Sequence, residues 1–349
     1  MKNVLVTGGA GYIGSICVAQ LIAKGYSVSV VDDLSTGFVD AVPSGASFYR
    51  ADCGDPLAIR QVISRCSPDV VFHFAARALI PESVTNPGMF FAANVASGIV
   101  LLEELRRAGV RKFIFSSSAA VYGNPDCLPI VEDHPKQPIT SYGESKLMFE
   151  QILAWYARAY GWGISAMRYF NACGASAEMG ERHDPETHLI PRLLQVASGE
   201  FPAFEIFGTD YATPDGTCLR DYVHVLDIAN AHILAMRILD SPGMTAFNIG
   251  TGKSHSVREV LETAEKVCGC RIPAVLRGRR SGDPAVLCAS PAKLIHTLGW
   301  QPEHSDLTNI VQSAWEFHRK SRPRPLVGVP HDSAISWASP IPGQRDELP

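Results

Sequence analysis

A tyrosine and a lysine four positions apart, Tyr142 and Lys146 in Tyr142-Gly143-Glu144-Ser145-Lys146, are the residues of this sequence best suited to acid–base chemistry. On a helix that spacing sets the phenol and the ammonium on one face, about one turn apart. An ordinary tyrosine has a pKa near ~10, so service as a base at neutral pH needs a shift of roughly 3 units, about 4 kcal/mol. A neighbouring cation favours the phenolate in this way. Such pairs also decorate solvated helix faces, and two further stretches turn the reading towards chemistry. Ser116-Ser117-Ser118 follows the apolar run Phe113-Ile114-Phe115, which predicts hydroxyls at the carboxyl end of a strand. Thr7-Gly8-Gly9-Ala10-Gly11-Tyr12-Ile13-Gly14 follows another apolar run and has the glycine spacing of a dinucleotide-binding turn.

The glycines of that turn have separable tasks. Gly8 permits the tight turn, Gly11 lets the backbone approach a pyrophosphate, and Gly14 lets a helix pack close to the sheet, its N-terminus holding the phosphates. Asp32 stands 18 residues past Gly14, at the end of the next apolar run. It is expected to accept hydrogen bonds from an adenosine ribose. Asp32-Asp33-Leu34-Ser35-Thr36 offers no cation for a 2′-phosphate, so the expected cofactor is NAD rather than NADP. Asp52 is placed to face the adenine, and His73-Phe74-Ala75-Ala76 to pass along the pyrophosphate.

The elements that position these groups follow from short apolar runs separated by helical stretches. Val4–Val6, Val28–Val31, Phe48-Tyr49, Val70–Phe72, Phe113–Phe115, Ile164–Arg168 and Phe247–Ile249 read as strands, and a helix over 12–24 closes at Gly25. Their alternation predicts an α/β protein, a Rossmann-type doubly wound parallel sheet covered on both faces, with ligands at the carboxyl ends of the strands. Beyond Arg168 the chain is richer in Gly, Pro and His, which predicts a smaller α+β substrate-binding lobe closing over the cofactor. Its Arg220 and Arg279-Arg280 carry guanidinium forks suited to a diphosphate. The region 89–107 and a helix over 141–160 are long and apolar, which suits a helical homodimer interface. Six prolines after Ser321 predict a loosely ordered tail over 321–349.

Bulk properties exclude several classes. The chain has 349 residues, 46% apolar and 19% charged, with a net charge of −4 and no basic run, so nucleic acid is not an expected partner. No stretch is expected to supply the ~18 apolar residues of a membrane span, and no membrane partner is expected. A strand entered at Lys2 leaves no room for a signal peptide, and a cytoplasmic location is expected. Nine scattered cysteines form no Cys-x-x-Cys set or Cys/His ligand cluster, so no metal is expected. Arg345-Asp346-Glu347-Leu348 resembles an endoplasmic-reticulum retention signal but is followed by Pro349, and it is not expected to act as one.

With these residues in view, the chain resembles the extended short-chain dehydrogenase/reductase family from about Lys2 to Trp315, and within it the UDP-glucose 4-epimerases. The resemblance rests on residues 7–14, on Phe113 to Gly123, on Tyr142 with Lys146, on Arg168-Tyr169-Phe170-Asn171, and on Arg220-Asp221-Tyr222-Val223-His224-Val225. It implies Ser118, Tyr142 and Lys146 as the catalytic set. It further implies that Gly8, Gly11, Tyr12, Ile13, Asp32, Asp52, Cys53, Phe74, Ala75, Asn94, Tyr169 and Phe170 line NAD. Asn171, His188, Leu189, Phe207, Arg220, Arg280 and Asp283 would hold a UDP-sugar, and Leu287 would face the sugar's 2-substituent. The implied domains are 1–171, with about 222–250 returning to it, and a lobe of 172–221 and 251–320. Ala78 with Arg77 beside it stands where many of these epimerases have a lysine, Asp33 where some have Asn, and Ser290 where many have Asp. Ala119-Ala120 follow Ser118 where the related 4,6-dehydratases need an acid/base pair. A catalytically silent NAD-binding scaffold would be expected to have lost the catalytic set.

Overall fold

Seven parallel strands form the central sheet of the computed structural model, which describes residues 2–280 and 283–321. In chain order the first strands are β1 (Asn3–Thr7), β2 (Ser27–Asp32), β3 (Ser47–Arg50), β4 (Val70–His73), β5 (Lys112–Ser118) and β6 (Gly163–Tyr169). They are followed by β7 (Asn171–Cys173), β8 (Phe204–Phe207), β9 (Leu219–His224), β10 (Gly243–Ile249), β11 (Ser254–Ser256), β12 (Ala274–Arg277) and β13 (Val286–Leu287). The large sheet runs β10-β6-β5-β4-β1-β2-β3. The order reverses direction between β1 and β4, which opens a crevice at their carboxyl ends. Thr7 Oγ1 and His73 Nδ1, 2.7 Å apart, close the sheet just beneath that crevice.

Both faces of the sheet are buried, which is why its strands read as nearly continuous apolar runs. One core packs Val4, Val6, Val28 and Val30 against Ile16, Leu21, Ile228 and Leu294, from the helices Tyr12–Ala23, Val225–Ala235 and Ala292–Leu298. The opposite core packs Leu5, Val71, Phe113 and Phe115 against Ile59, Leu101, Phe149 and Leu153, from Pro56–Cys66, Ser97–Arg107 and Ser141–Tyr160. Asp55 caps Pro56–Cys66 by accepting from the N–H groups of Leu57 and Ala58, and Thr140 caps Ser141–Tyr160 by accepting from Gly143 N. Gly161, in the left-handed region, ends that second helix.

A second, smaller assembly is built around β9, which pairs with β7, β11 and β13, while β8 and β12 form a two-stranded sheet. Its core joins Leu193, Ile206, Tyr222, Val260 and Ile310. Between β9 and β11 the chain goes back to the large sheet, contributing Val225–Ala235 and β10.

One sequence expectation is corrected here. The continuous helical stretch Pro87–Arg107 is, among the described residues, long and apolar enough to cross a membrane by length and composition, with a mean hydropathy of 1.4. It ends in Glu103, Glu104, Arg106 and Arg107, and Leu101, Leu102 and Leu105 are buried in the core of a sheet protein. Its charges are confined to the last five residues, and Gly88, Asn94, Ser97 and Gly98 break the apolar residues before them, which hides its apolar content when a stretch is judged by uninterrupted apolar residues alone. The expected tail over 321–349 falls outside the described residues from 322 onward.

Candidate active site

The crevice opens into a cleft of ≈ 570 Å³ at the carboxyl ends of the strands. Gly8, Gly11, Tyr12, Ile13, Gly14 and Asp32 line one side of it. Gly8 sits at φ +73°, and a Cβ there would lie 2.4 Å from Ala75 N. A Cβ on Gly14 would lie 2.2 Å from Gly8 O, so the helix rests directly on the turn. Gly11 is different, since its added Cβ would meet only Gly8 O, at 3.4 Å. The backbone at Gly11 is therefore accessible from the cleft.

The fit to a dinucleotide is good on these observations. No side chain caps the first turn of Tyr12–Ala23 and no acidic residue stands in it, so its N–H groups and the positive end of the helix dipole remain for an anion. Asp32 is held by the N–H groups of Ala10 and Leu34, each at 2.9 Å, at the far end of the cleft. Burial raises its pKa and those two donors oppose the rise. Asp52, Cys53, Phe74 and Ala75 complete this side. Burial pushes the Cys53 thiol up to about 12, which leaves it an apolar wall rather than a nucleophile.

Ser118, Tyr142 and Lys146 come together on the opposite wall with Tyr169, Phe170 and Asn171. Ser118 ends β5, and its Oγ accepts from Ala120 N at 3.1 Å as the chain turns into a short 3₁₀ helix. Gly143 lets the helix of Tyr142 approach this turn, because a Cβ on it would lie 2.5 Å from Ala120 O. Burial pushes the Tyr142 pKa up, and a hydrogen bond with Ser118 opposes the rise. Burial also lowers Lys146, to about 7, against the pull of the Glu150 carboxylate. Lys146 Nζ donates to Ser116 O at 2.8 Å and stands 5.8 Å from the centroid of the Tyr142 ring. Desolvation is the largest influence at both groups.

Asn94 is not among the side chains that line the cleft, although its neighbours Ala92 and Ala93 are. It is 3% exposed, accepts from Arg77 N, and donates to Arg77 O and to Ser145 Oγ. Its amide is used to fix the segment after β4 against the helix of Tyr142 and Lys146. The π-helical turn at Ala92–Ala96 carries it there, and a sequence pattern does not reveal such a turn.

A second recess of ≈ 810 Å³ adjoins the first and is lined by Leu189, Phe207, Arg280 and Asp283. The Arg280 guanidinium lies 3.9 Å from the Phe207 ring centroid. Arg220, 7% exposed, reaches this recess through its ion pair with Asp283. Arg279 departs from expectation, being bound to Asp210 at 2.8 Å and set over the Tyr211 ring. Leu287 lies beside Arg220 in register and packs against a cluster containing Ala119, Tyr122 and Phe170. His188 lines the first cleft. Burial disfavours charge on His188, yet the Glu181 and Glu186 carboxylates carry its pKa well above the ordinary value. Those partners, with His183, form a cluster that the sequence reading missed; the only signal was Glu-x-His-x-x-Glu-x-His over 181–188.

A parallel doubly wound sheet with a glycine-rich turn, an uncapped helix N-terminus and a Ser/Tyr/Lys wall defines an NAD-binding enzyme of nucleotide-sugar type, and comparison places it. The model of the NAD dependent epimerase/dehydratase family matches residues 4–250, and the chain belongs to that family. It is 49% identical over 321 residues to a UDP-glucose 4-epimerase from Streptococcus mutans, covering 90% of this chain and 96% of the relative. The solved UDP-glucose 4-epimerase from Brucella ovis in complex with NAD superposes with a TM-score of 0.88 at 44% identity, covering 91% of this chain and 98% of that one. That from Bifidobacterium longum, in complex with NAD+ and UDP, gives 0.86 at 36% identity, covering 91% and 98%.

Proposed function

We propose that this chain interconverts UDP-glucose and UDP-galactose by NAD-dependent 4-epimerisation through a transient 4-keto sugar. The observation that carries the reading is that Ser118, Tyr142 and Lys146 share one cleft wall with a site for a dinucleotide facing them and an arginine-bearing recess adjoining. NAD, when bound, supplies the acceptor and donor of the C4 hydride and a positive charge that favours the phenolate. Tyr142 takes the proton of the C4 hydroxyl and returns it to the C4 oxygen once the sugar has turned to present its other face. Ser118 holds that hydroxyl and shares the hydrogen bond with the phenol. Lys146, fixed by Ser116 O, holds the nicotinamide ribose. Arg220 and Arg280 grip the diphosphate while the sugar turns between its two faces, so that binding energy from the non-reacting UDP retains the keto intermediate. Asn171, His188, Leu189, Phe207 and Asp283 complete the UDP-sugar site in this reading, and Tyr169 and Phe170 the nicotinamide end.

A 4,6-dehydratase would need an acid and a base next to Ser118. Ala119 and Ala120 stand there, and a methyl group transfers no proton. The epimerase reading predicts that UDP-galactose is converted to UDP-glucose without consumption of added NAD or accumulation of NADH. NADH formed in proportion to product would make the chain a dehydrogenase instead.

Sugar choice follows from Leu287. An N-acetyl group against a residue of intermediate size forces an off-rotamer side chain at about 1–3 kcal/mol. At ~1.4 kcal/mol per tenfold, UDP-N-acetylglucosamine is expected to be disfavoured by roughly ten- to a hundredfold. Leu287→Ser should raise N-acetyl turnover and Leu287→Tyr abolish it, with UDP-galactose changed much less. Ratios of kcat/KM for the two sugars that stay equal across the three proteins would remove Leu287 from the sugar site.

We also infer a homodimer. Ile99, Met148, Trp155 and Tyr160 are exposed on the two adjacent helices, Trp155 by 66%, and an interface of paired helices would cover them. All nine cysteines are free, which suits a reducing compartment and supports a cytoplasmic location.

A further inference from the structure

Eight consecutive residues, Glu181 to His188, fold so that four side chains face one point. His183 Nδ1 lies 2.9 Å from Glu181 Oε1, and His188 Nδ1 lies 2.7 Å from the same oxygen and 2.9 Å from Glu186 Oε1. All four donor atoms lie within 4.8 Å of one another. We propose that Glu181, His183, Glu186 and His188 form a divalent transition-metal site, with zinc the ion that fits best, bracing the loop between the cofactor cleft and the adjoining recess.

Three features separate this cluster from a pair of ordinary surface ion pairs. The donors converge instead of pairing off, since Glu181 Oε1 is shared by both imidazoles. Both carboxylates are nearly enclosed, with side chains 8% and 4% exposed for Glu181 and Glu186. An ion would displace the protons of the imidazoles, leaving two neutral rings and two carboxylates whose charge of −2 one divalent ion cancels; the two histidines lie on the solvent side, 27% and 46% exposed, and give the ion a way in. The carboxylate of Glu186 is also preoriented, because its Oε1 accepts from the N–H groups of Thr187 and His188, each at 2.7 Å.

The chemistry of the donor set selects the ion. Nitrogen and carboxylate oxygen in a tetrahedral set suit zinc, at about 2.0–2.2 Å from each donor, which places donors about 3.4 Å apart. The observed contacts are shorter by about 0.5 Å, a change that small side-chain rotations supply. A hard ion of octahedral habit would prefer an all-oxygen site. The loop is already anchored from its other side, where Arg182 binds Asp40 at 2.7 and 3.0 Å and lies over the Phe38 ring. An ion on the inner side would fix the same loop from both directions. Glu181 and His183 border both the cleft and the recess, so the brace would set the separation of the two sites.

The test uses the full chain with its cofactor bound, treated with a chelator and then dialysed against zinc, with bound metal measured by mass spectrometry. About one zinc per chain is expected, with His183→Ala and Glu181→Gln weakening retention about tenfold or more. Cobalt in place of zinc should give the strong visible absorption of a tetrahedral ion, and His183→Cys should retain cobalt and add a thiolate charge-transfer band. That band reports ligation even where another variant folds poorly. Retention of less than about a tenth of a zinc per chain, or equal retention by wild type and His183→Ala, would overturn the proposal. Neither outcome depends on turnover, so the result stands apart from the epimerase reading.

Discussion

Replacing Tyr142 with phenylalanine is expected to remove nearly all turnover while NAD and UDP-sugar still bind. The substitution keeps the ring that packs in the cleft wall and deletes only the oxygen that moves the proton. General-base catalysis is worth about 100- to 10,000-fold, and a loss in that range is the expected result. The structure adds a reason for the sensitivity. Burial raises the pKa of the phenol and Ser118 opposes the rise, so the proton transfer rests on a single oxygen that phenylalanine lacks. Lys146→Met should cost a comparable amount through the lost hold on Ser116 and on the cofactor's ribose. Steady-state rates together with binding titrations for both ligands check this. A Tyr142→Phe protein with more than about a tenth of wild-type turnover would displace the tyrosine from the base role.

The second large effect is on stability. Arg168 and Glu150 form a two-pronged ion pair, at 2.9 and 2.5 Å, with both side chains 4% exposed. Glu150 also accepts from Ser117 Oγ at 2.6 Å, and Arg168 donates to Tyr122 Oη and Glu132 O. The pair ties β6 to the helix of Tyr142 and Lys146. Replacing Arg168 by methionine leaves a carboxylate buried without its partner, and breaking such a pair costs about 3–5 kcal/mol. Replacing both, as Glu150→Leu with Arg168→Met, should recover most of that loss, because no charge is left behind. Denaturant midpoints of the two proteins decide it. An Arg168→Met protein within about 1 kcal/mol of wild type would mean that water reaches Glu150.

The local elements were legible in the sequence and the long-range polar pairings were not. Each strand from β1 to β6 is marked by a short apolar run, because both faces of the sheet are covered except at the edge strand β3, which shows only Phe48-Tyr49. The turn from Thr7 to Gly14 could be read because its glycines serve contacts within a few residues or with the next segment. Arg168 and Glu150 carried no such mark; their partnership depends on how a strand end meets a helix. Asn94 is assigned to the cofactor by resemblance alone, which gives a residue's position and not the direction of its side chain; here its amide bonds Arg77 and Ser145. Arg279 and Arg280 show the same limit, as adjacent residues send one guanidinium to Asp210 and the other to the recess. The cluster at Glu181, His183, Glu186 and His188 is local in sequence, but Glu-x-His-x-x-Glu-x-His contains no cysteine and matches none of the cysteine-based spacings, so only the folded loop shows that the four side chains converge.

The most direct measurement of the central claim uses UDP-galactose deuterated at C4. Hydride removed and returned within one cleft must reappear on the carbon it left. The account predicts UDP-glucose that retains the label at C4, with none lost to water and no NADH left behind. Loss of the label to solvent, or a keto sugar released with the label on the cofactor, would contradict it.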